Sequence, residues 1–399
     1  MSWREITLGS AIHVKHGYAF KGALFADHGE YIVVTPGNFN EEGGFRSRPE
    51  KDRAYAGDIP EAYVLNENDL IVAMTEQGAG LLGSAALVPQ ANRYLHNQRL
   101  GLVDQVDASV LDKRFLYLLF NTRSVRAQIS GSASGTKVRH TAPERIYRVR
   151  VRVPDVSTQA SIAETVLAYD DQIENNRRRM ALLEESARLL YREWFVRLRF
   201  PGHEHTRIVD GVPEGWERLP FSQLAGFING YPFKPDELGV VGFPIVKIPE
   251  LRDGVSDKTP RNEGESIQEK YLLKDGDLLF SWSGTLLIEF WYDGPAILNQ
   301  HLFRVEPKSQ YYRVFLLFAL REALPEFGNQ TVGATMKHIR KAALTTVSVC
   351  LPPHSLLAQF DEVATDVFEQ VLNLRQQNKK LRTARDLLLP RLISGEIVV

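Results

Sequence analysis

Two short polar runs, Asn97-Gln98-Arg99 and Asn299-Gln300-His301, stand at matching places in the two halves of the sequence. A side-chain amide can bond adenine bidentately and a guanidinium can do the same to guanine, so these residue types at a strand end suit the reading of base edges. Three further clusters recur with them. Gly17-Tyr18-Ala19-Phe20-Lys21 is answered by Gly230-Tyr231-Pro232-Phe233-Lys234, and Thr75-Glu76-Gln77-Gly78 by Ser281-Trp282-Ser283-Gly284-Thr285. Gly135-Thr136-Lys137-Val138-Arg139-His140 is answered by Gly333-Ala334-Thr335-Met336-Lys337-His338-Ile339-Arg340, and both read as mobile basic loops suited to phosphate. The candidate nucleic-acid contacts are therefore Tyr18, Lys21, Thr75, Gln77, Asn97, Gln98, Arg99, Lys137, Arg139 and His140 in the first half. In the second half they are Tyr231, Lys234, Ser281, Trp282, Ser283, Asn299, Gln300, His301, Lys337, His338 and Arg340. Each cluster also has a structural reading, with the aromatics in a core and the Asn-Gln pairs capping turns. What recurs between the halves should be scaffold or phosphate contact, whereas residues that read bases should differ.

Motifs for catalysis are missing. The sequence has no Gly-x-x-x-x-Gly-Lys-Ser/Thr phosphate loop, no strand-linked Gly-x-Gly-x-x-Gly, no His-Glu-x-x-His and no Gly-x-Ser-x-Gly elbow. Leu351-Pro352-Pro353-His354 departs at both ends from the Asn/Asp-Pro-Pro-Tyr/Phe loop of amino-methyltransferases, and reads instead as a strand end before a helix capped by Ser355. His203 and His205 have no further ligand at a useful spacing, so no metal site is expected. A fully duplicated chain without such motifs points to binding.

The elements that must position these clusters are themselves duplicated. From Ser157 to about Phe200, the residues Ile162, Val166, Tyr169, Ile173, Asn176, Met180, Leu183, Ala187, Leu190 and Trp194 alternate steps of four and three, the seam of a coiled coil. Phe360, Ala364, Val367, Val371, Leu374, Asn378, Leu381, Arg385, Leu388 and Leu392 repeat that seam in the same phase. Antiparallel pairing with the seams overlapped end to end sets Asn176 against Asn378. Parallel pairing would set Asn176 against Leu374 and leave a buried amide unsatisfied, at about 1–3 kcal/mol each. An Asn pair that fixes register and direction is thus expected. Leu182, Leu189, Phe195 and Val196 on the first helix, with Leu372 and Leu387 on the second, widen the apolar stripe beyond what two strands bury and form a candidate docking face for partner helices. Before each helix lies a globular copy of short strands, such as Leu70–Met74, Val149–Val153, Leu278–Trp282 and Thr345–Leu351, with one amphipathic helix near Asp112–Ile129 or Gln310–Ala323. The fold class read from this is α+β: two duplicated α+β domains joined by two long helices in an antiparallel coiled coil.

At 399 residues and 44% hydrophobic content the chain has room for two or three domains with cores of their own. The absence of a long apolar run predicts a cytoplasmic protein with no membrane contact. The single Cys350 excludes disulfides and reads as a buried core thiol. A net charge of −1 is low for a lone DNA binder, so any grip on DNA should be local or shared with a partner.

Over essentially its whole length the chain resembles the specificity subunits of type I restriction–modification systems. The resemblance rests on Pro213-Glu214-Gly215-Trp216-Glu217, on Leu298-Asn299-Gln300-His301 with the Gly-x-x-x-Lys loop, and on Asp170-Asp171-Gln172-Ile173-Glu174-Asn175-Asn176 through Trp194-Phe195. It also includes Leu387-Leu388-Leu389-Pro390-Arg391-Leu392-Ile393-Ser394-Gly395-Glu396-Ile397. It implies a target-recognition domain at 1–155, a conserved helix at 156–200, a linker at 201–215, a second target-recognition domain at 216–353 and a second conserved helix at 354–399. Each domain would read half of an asymmetric bipartite site on double-stranded DNA, and the coil would set the gap. The implied partners are two adenine methyltransferase (modification) subunits and the restriction/translocase subunits. S-adenosylmethionine, ATP and magnesium would belong to those partners, leaving this chain non-catalytic and without a cofactor. A helix of about 36 residues spans about 54 Å, enough to hold two domains over sites one duplex turn, about 34–36 Å, apart. Two other readings compete: an orphan scaffold that only assembles partners, and a methyltransferase in its own right.

Overall fold

A computed structural model describes residues 3–77, 80–329, 331–332, 338–339 and 341–398. In each half the first strand pairs antiparallel with the last one before the long helix. Arg4–Thr7 lies against Arg150–Val153, and Glu217–Pro220 against Ser348–Leu351. The alternation Arg150-Val151-Arg152-Val153 follows the strand period of two, so both valines are buried and both arginines exposed.

Between those closing strands each half builds the same antiparallel four-stranded sheet. In the first, β1 (Ile12–His16), β2 (Leu70–Ala73), β3 (Ala85–Leu87) and β4 (Leu100–Val106) stand in the order β1-β4-β2-β3. In the second, β5 (Ala225–Asn229), β6 (Leu278–Ser281), β7 (Ile288–Phe290) and β8 (Leu302–Pro307) stand in the order β5-β8-β6-β7. A smaller sheet accompanies each, and each contains one parallel pair: Ile32–Val33 with Tyr94–Leu95, and Ile245-Val246 with Ile297-Leu298. The expected α+β class is present in both copies. The first amphipathic helix is in fact two, Lys113–Phe120 and Arg123–Gly131, broken where the Asn121 amide turns to the backbone of Ala85 and Tyr117. Cys350 is half-buried, not a core thiol, because it lies on the two-stranded closing ribbon and not in the central sheet.

The long helices are α1 (Val156–Tyr191) and α2 (His354–Ser394). Asp155 caps α1: its carboxylate accepts the Thr158 N–H at 3.0 Å and both the Ser157 and Thr158 hydroxyls, which holds its pKa down to about 2. Ser355 does not cap α2, which begins one residue earlier, with the Pro353 carbonyl accepting from Leu356 and Leu357. Nor does α1 continue to Phe200. A π-helical turn over Arg192–Val196 follows it, with Arg197 donating to the Arg192 carbonyl at 2.8 Å, and Leu198 then adopts a left-handed backbone (φ 57°).

The chain divides into two compact units, Met1–Ile173 with Lys380–Val399, and Glu174–Lys379, so each unit owns one end of each helix. In the first, Ile162, Ala163 and Val166 of α1 and Leu392 of α2 share a core with Phe115, Phe120, Val151 and Val153. In the second, Ala187, Tyr191 and Phe195 share one with Phe360, Ala364 and Phe368 of α2 and with Phe315 and Phe318. Asn176 and Asn378 are both buried, and the Asn176 amide donates to Asn378 Oδ1 at 2.9 Å, as the seam argument requires. Within the second unit Glu184 pairs with Arg375 and the Trp194 ring lies 6.2 Å from Phe360, so residue numbers fall along α2 as they rise along α1. In the first unit Arg385, the charged residue of the second seam, is answered by Asp170. The helices run antiparallel.

Candidate nucleic-acid interface

The repeated glycine, tyrosine and asparagine make the same joint in both units. Tyr18 forms a parallel bridge to Asn97, donating its N–H to the His96 carbonyl and accepting from Gln98; Tyr231 does the same with Asn299, through Leu298 and Gln300. The backbones approach so closely that a Cβ on Gly17 would lie 2.0 Å from the Asn97 carbonyl oxygen, and one on Gly230 would lie 2.2 Å from that of Asn299. Only glycine fits at either place. Beside each joint two rings meet edge to face, Tyr18 with Phe20 at 5.1 Å and Tyr231 with Phe233 at 4.8 Å.

This joint corrects part of the sequence reading. Asn97 and Asn299 are buried, and their Oδ1 atoms accept the N–H groups of Arg99 (3.1 Å) and His301 (3.3 Å), so the amides expected to face adenine cap their own turns. Tyr18 and Tyr231 are half-buried in the joint, the latter donating its hydroxyl to Glu237 at 2.7 Å. The exposed residues are the next ones along, Gln98 and Arg99, with Lys21 and Lys234 on the neighbouring turns.

In the first unit Gln98 and Arg99 line an open cleft of about 770 Å³ together with Gln77, His140 and Arg48. Three of the four expected clusters meet there. Its floor is organised by Glu76, a buried carboxylate that accepts the backbone N–H groups of Gly80 (3.1 Å), Leu81 (3.0 Å) and Leu82 (2.9 Å) and pairs with Arg139 at 3.2 Å. Thr75 is buried next to it and donates to the Arg99 carbonyl. Arg139 and His140 are therefore not part of a mobile phosphate loop: they form a strand against Glu76 and Thr75, and the Arg139 charge is committed to Glu76. His140 and Lys137 remain exposed.

The second unit closes the corresponding place from within. The Trp282 indole donates to Asn229 Oδ1 (3.1 Å) and the Gln300 carbonyl (3.0 Å), the Ser283 hydroxyl meets His301 Nδ1 at 3.1 Å, and buried Ser281 bonds the carbonyls of Ser283 and Thr285. Ser281 thus holds its loop's backbone and Ser283 the His301 ring, while Trp282, Gln300 and His301 stay half-exposed. Lys337 and Arg340 lie outside the described residues. Of His338, only the backbone pairing with Val332 is described. Ile339 donates to the Trp282 carbonyl at 2.9 Å, as Thr141 does to Met74 at 2.9 Å in the first unit.

The wall of Thr35, Pro36, Gly37 and Arg48 was not anticipated in the first-unit cleft. Only Pro36, matched by Pro249, carried a signal in the sequence. On the helices, Leu182 (71% exposed), Leu189, Val196 and Leu387 are exposed and Leu372 is half-buried. Phe195 is removed from that docking face. The π-helical turn carries it into the core, 5.2 Å from Phe315 and 5.0 Å from Phe360.

Two units with one loop joint in common and different residues exposed beyond it define a tandem recognition protein. Comparison with known proteins places it further. The family model for the type I restriction modification DNA specificity domain matches residues 1–185 and 213–382, and the chain belongs to that family. It is 24% identical over 306 residues to the type I restriction enzyme MjaIX specificity subunit of Methanocaldococcus jannaschii, covering 71% of this chain and 69% of that one. With the HindI specificity subunit of Haemophilus influenzae it shares 22% over 367 residues, covering 74% and 80%. The crystal structure of a type I restriction–modification S subunit from M. genitalium has the same fold, with a TM-score of 0.60 over 98% of this chain and 96% of that one at 16% identity. No described helix is long and apolar enough to cross a membrane.

Proposed function

We propose that this chain is the DNA-specificity subunit of a cytoplasmic type I restriction–modification complex, in which each globular domain reads one half of a bipartite site. The observation that carries this reading is the shared joint, Gly17-Tyr18 on Asn97 and Gly230-Tyr231 on Asn299, which supports different exposed residues in the two units. A common scaffold with divergent tips suits two half-sites of unequal sequence. In the first unit Gln77, Gln98, Arg99 and His140 are the base-facing group and Lys21 and Lys137 the phosphate-facing one. In the second, Trp282, Gln300 and His301 read, and Lys234 anchors with Lys337 and Arg340.

The chain carries no chemistry of its own in this reading. Two methyltransferase subunits, which would hold S-adenosylmethionine, dock on the exposed Leu182, Leu189 and Val196 and on Leu372 and Leu387, and ATP-driven restriction subunits join them. Near-neutral net charge fits a complex in which the methyltransferases supply much of the phosphate grip. Footprinting of the chain with its methyltransferase subunits tests this. Two protected patches of defined sequence separated by a fixed gap are expected; assembly without any sequence-dependent footprint would instead identify a scaffold.

A further inference from the structure

Building on this DNA-reading assignment, we propose that Arg48 forms a guanine-reading subsite in the first unit, buttressed by Asp52 and Thr35 to present its guanidinium to the N7/O6 edge. Arg48 lines the cleft with Gln77, Gln98, Arg99 and His140. Its side chain lies between Thr35 and Asp52. Its main-chain N–H donates to Asp52 Oδ2 at 2.8 Å; within the guanidinium, Nη2 donates to Thr35 Oγ1 at 3.2 Å, and Nε lies 3.6 Å from Asp52 Oδ1 as an ion pair without a hydrogen bond. The buttress is fixed in turn. Fully buried Asn38 donates to Asp52 Oδ1 at 2.7 Å and accepts from the Thr35 N–H (2.9 Å) and hydroxyl (3.0 Å).

Gly37 supplies the space. A Cβ there would lie 2.2 Å from Arg48 Nη1 and 2.5 Å from Cζ, so the guanidinium occupies room that only glycine leaves. A fork held in one plane before binding loses little further freedom on making two parallel bonds, and the carboxylate behind it offsets the pull of phosphates at large. Both effects favour a base edge with two acceptors in that geometry, which in the major groove is guanine. The second unit has no such place. In its corresponding turn, Lys247-Ile248-Pro249-Glu250, there is no glycine; Glu250 stands where Asn38 does, and its carboxylate accepts from the Lys247 N–H (3.1 Å) and the Thr259 hydroxyl (3.3 Å). The subsite therefore lies where the halves differ, as a base reader should.

The test uses the complex of this chain with its methyltransferase subunits and duplexes in which each guanine of the recognised site is replaced singly by 7-deazaguanine, which lacks the N7 acceptor. The wild-type complex should lose about 10- to 100-fold in affinity at one guanine of one half-site. Arg48→Ala and Arg48→Lys should bind the normal site more weakly by a similar factor and show no further loss at that guanine, while keeping their response in the other half-site. Gly37→Ala, which displaces the guanidinium without removing it, should behave the same way, with an unchanged melting temperature. Variants that respond to every replacement as the wild type does, or that weaken binding to all sequences alike, overturn the proposal, as does a recognised site without guanine. A wild-type complex that selects no DNA sequence overturns the DNA-reading assignment itself, and this subsite with it.

Discussion

His96 lies directly beneath the Asn97 turn, fully buried, with Nε2 donating to the Leu100 carbonyl at 3.0 Å and Nδ1 without a partner. Burial, partly opposed by that carbonyl, holds its pKa down at about 4 against an ordinary 6.5. The unfolded chain therefore binds a proton that the folded one refuses as pH falls from 6.5 towards 4. Stability drops through that window, approaching about 3 kcal/mol for this residue alone, and changes little more from it below pH 4. Urea unfolding at pH 7 and near pH 4 measures the slope, and His96→Gln should flatten it; equal slopes in both proteins would remove the histidine from the account. Arg99 and Lys137 are both exposed, and the proposed function assigns the first to specificity and the second to grip. Arg99→Ala should relax the preference at one position of one half-site by about 1–3 kcal/mol, whereas Lys137→Ala should weaken all duplexes alike and lower the salt slope by about 1. Uniform loss in both variants would refute that division.

Among the elements, the helix pair tests most cleanly. Asn176→Leu removes the amide that donates to buried Asn378 Oδ1 and should cost about 1–3 kcal/mol, while Asn176→Leu with Asn378→Leu should recover most of that loss. Thermal unfolding of the two single variants and the double one decides it; additive losses would mean that the pair does not interact. This contact was legible in the sequence because the heptad is a local period and two polar residues in it admit one satisfying alignment. The fate of Phe195 was not. The buried positions step by fours through Ala187, Tyr191 and Phe195, where the heptad would bury Leu190 and Trp194, and nothing in the spacing announces that departure or the π-helical turn that follows Tyr191. The loop amides misled for a related reason. Whether Asn97 faces solvent depends on a backbone bridge from Tyr18, far away in the chain, and the glycine that permits the bridge was visible only as a repeat. Arg48 left no repeat to find, since the turn behind it recurs in the other half without the glycine on which the guanidinium rests.

For the molecule as a whole, the proposed function makes helix length the ruler for the gap between the half-sites. Deleting one heptad from each helix should shorten the tolerated gap or abolish recognition, and an unchanged gap would refute the ruler. The most direct measurement is single-molecule mapping of methylated adenine in DNA from the source cell, with and without this gene. The account predicts that one split motif, two unequal half-sites with a fixed spacer and one methyladenine in each, disappears when the gene is removed. If no methylated motif depends on the gene, the claim that this chain gives a methyltransferase its DNA sequence is contradicted.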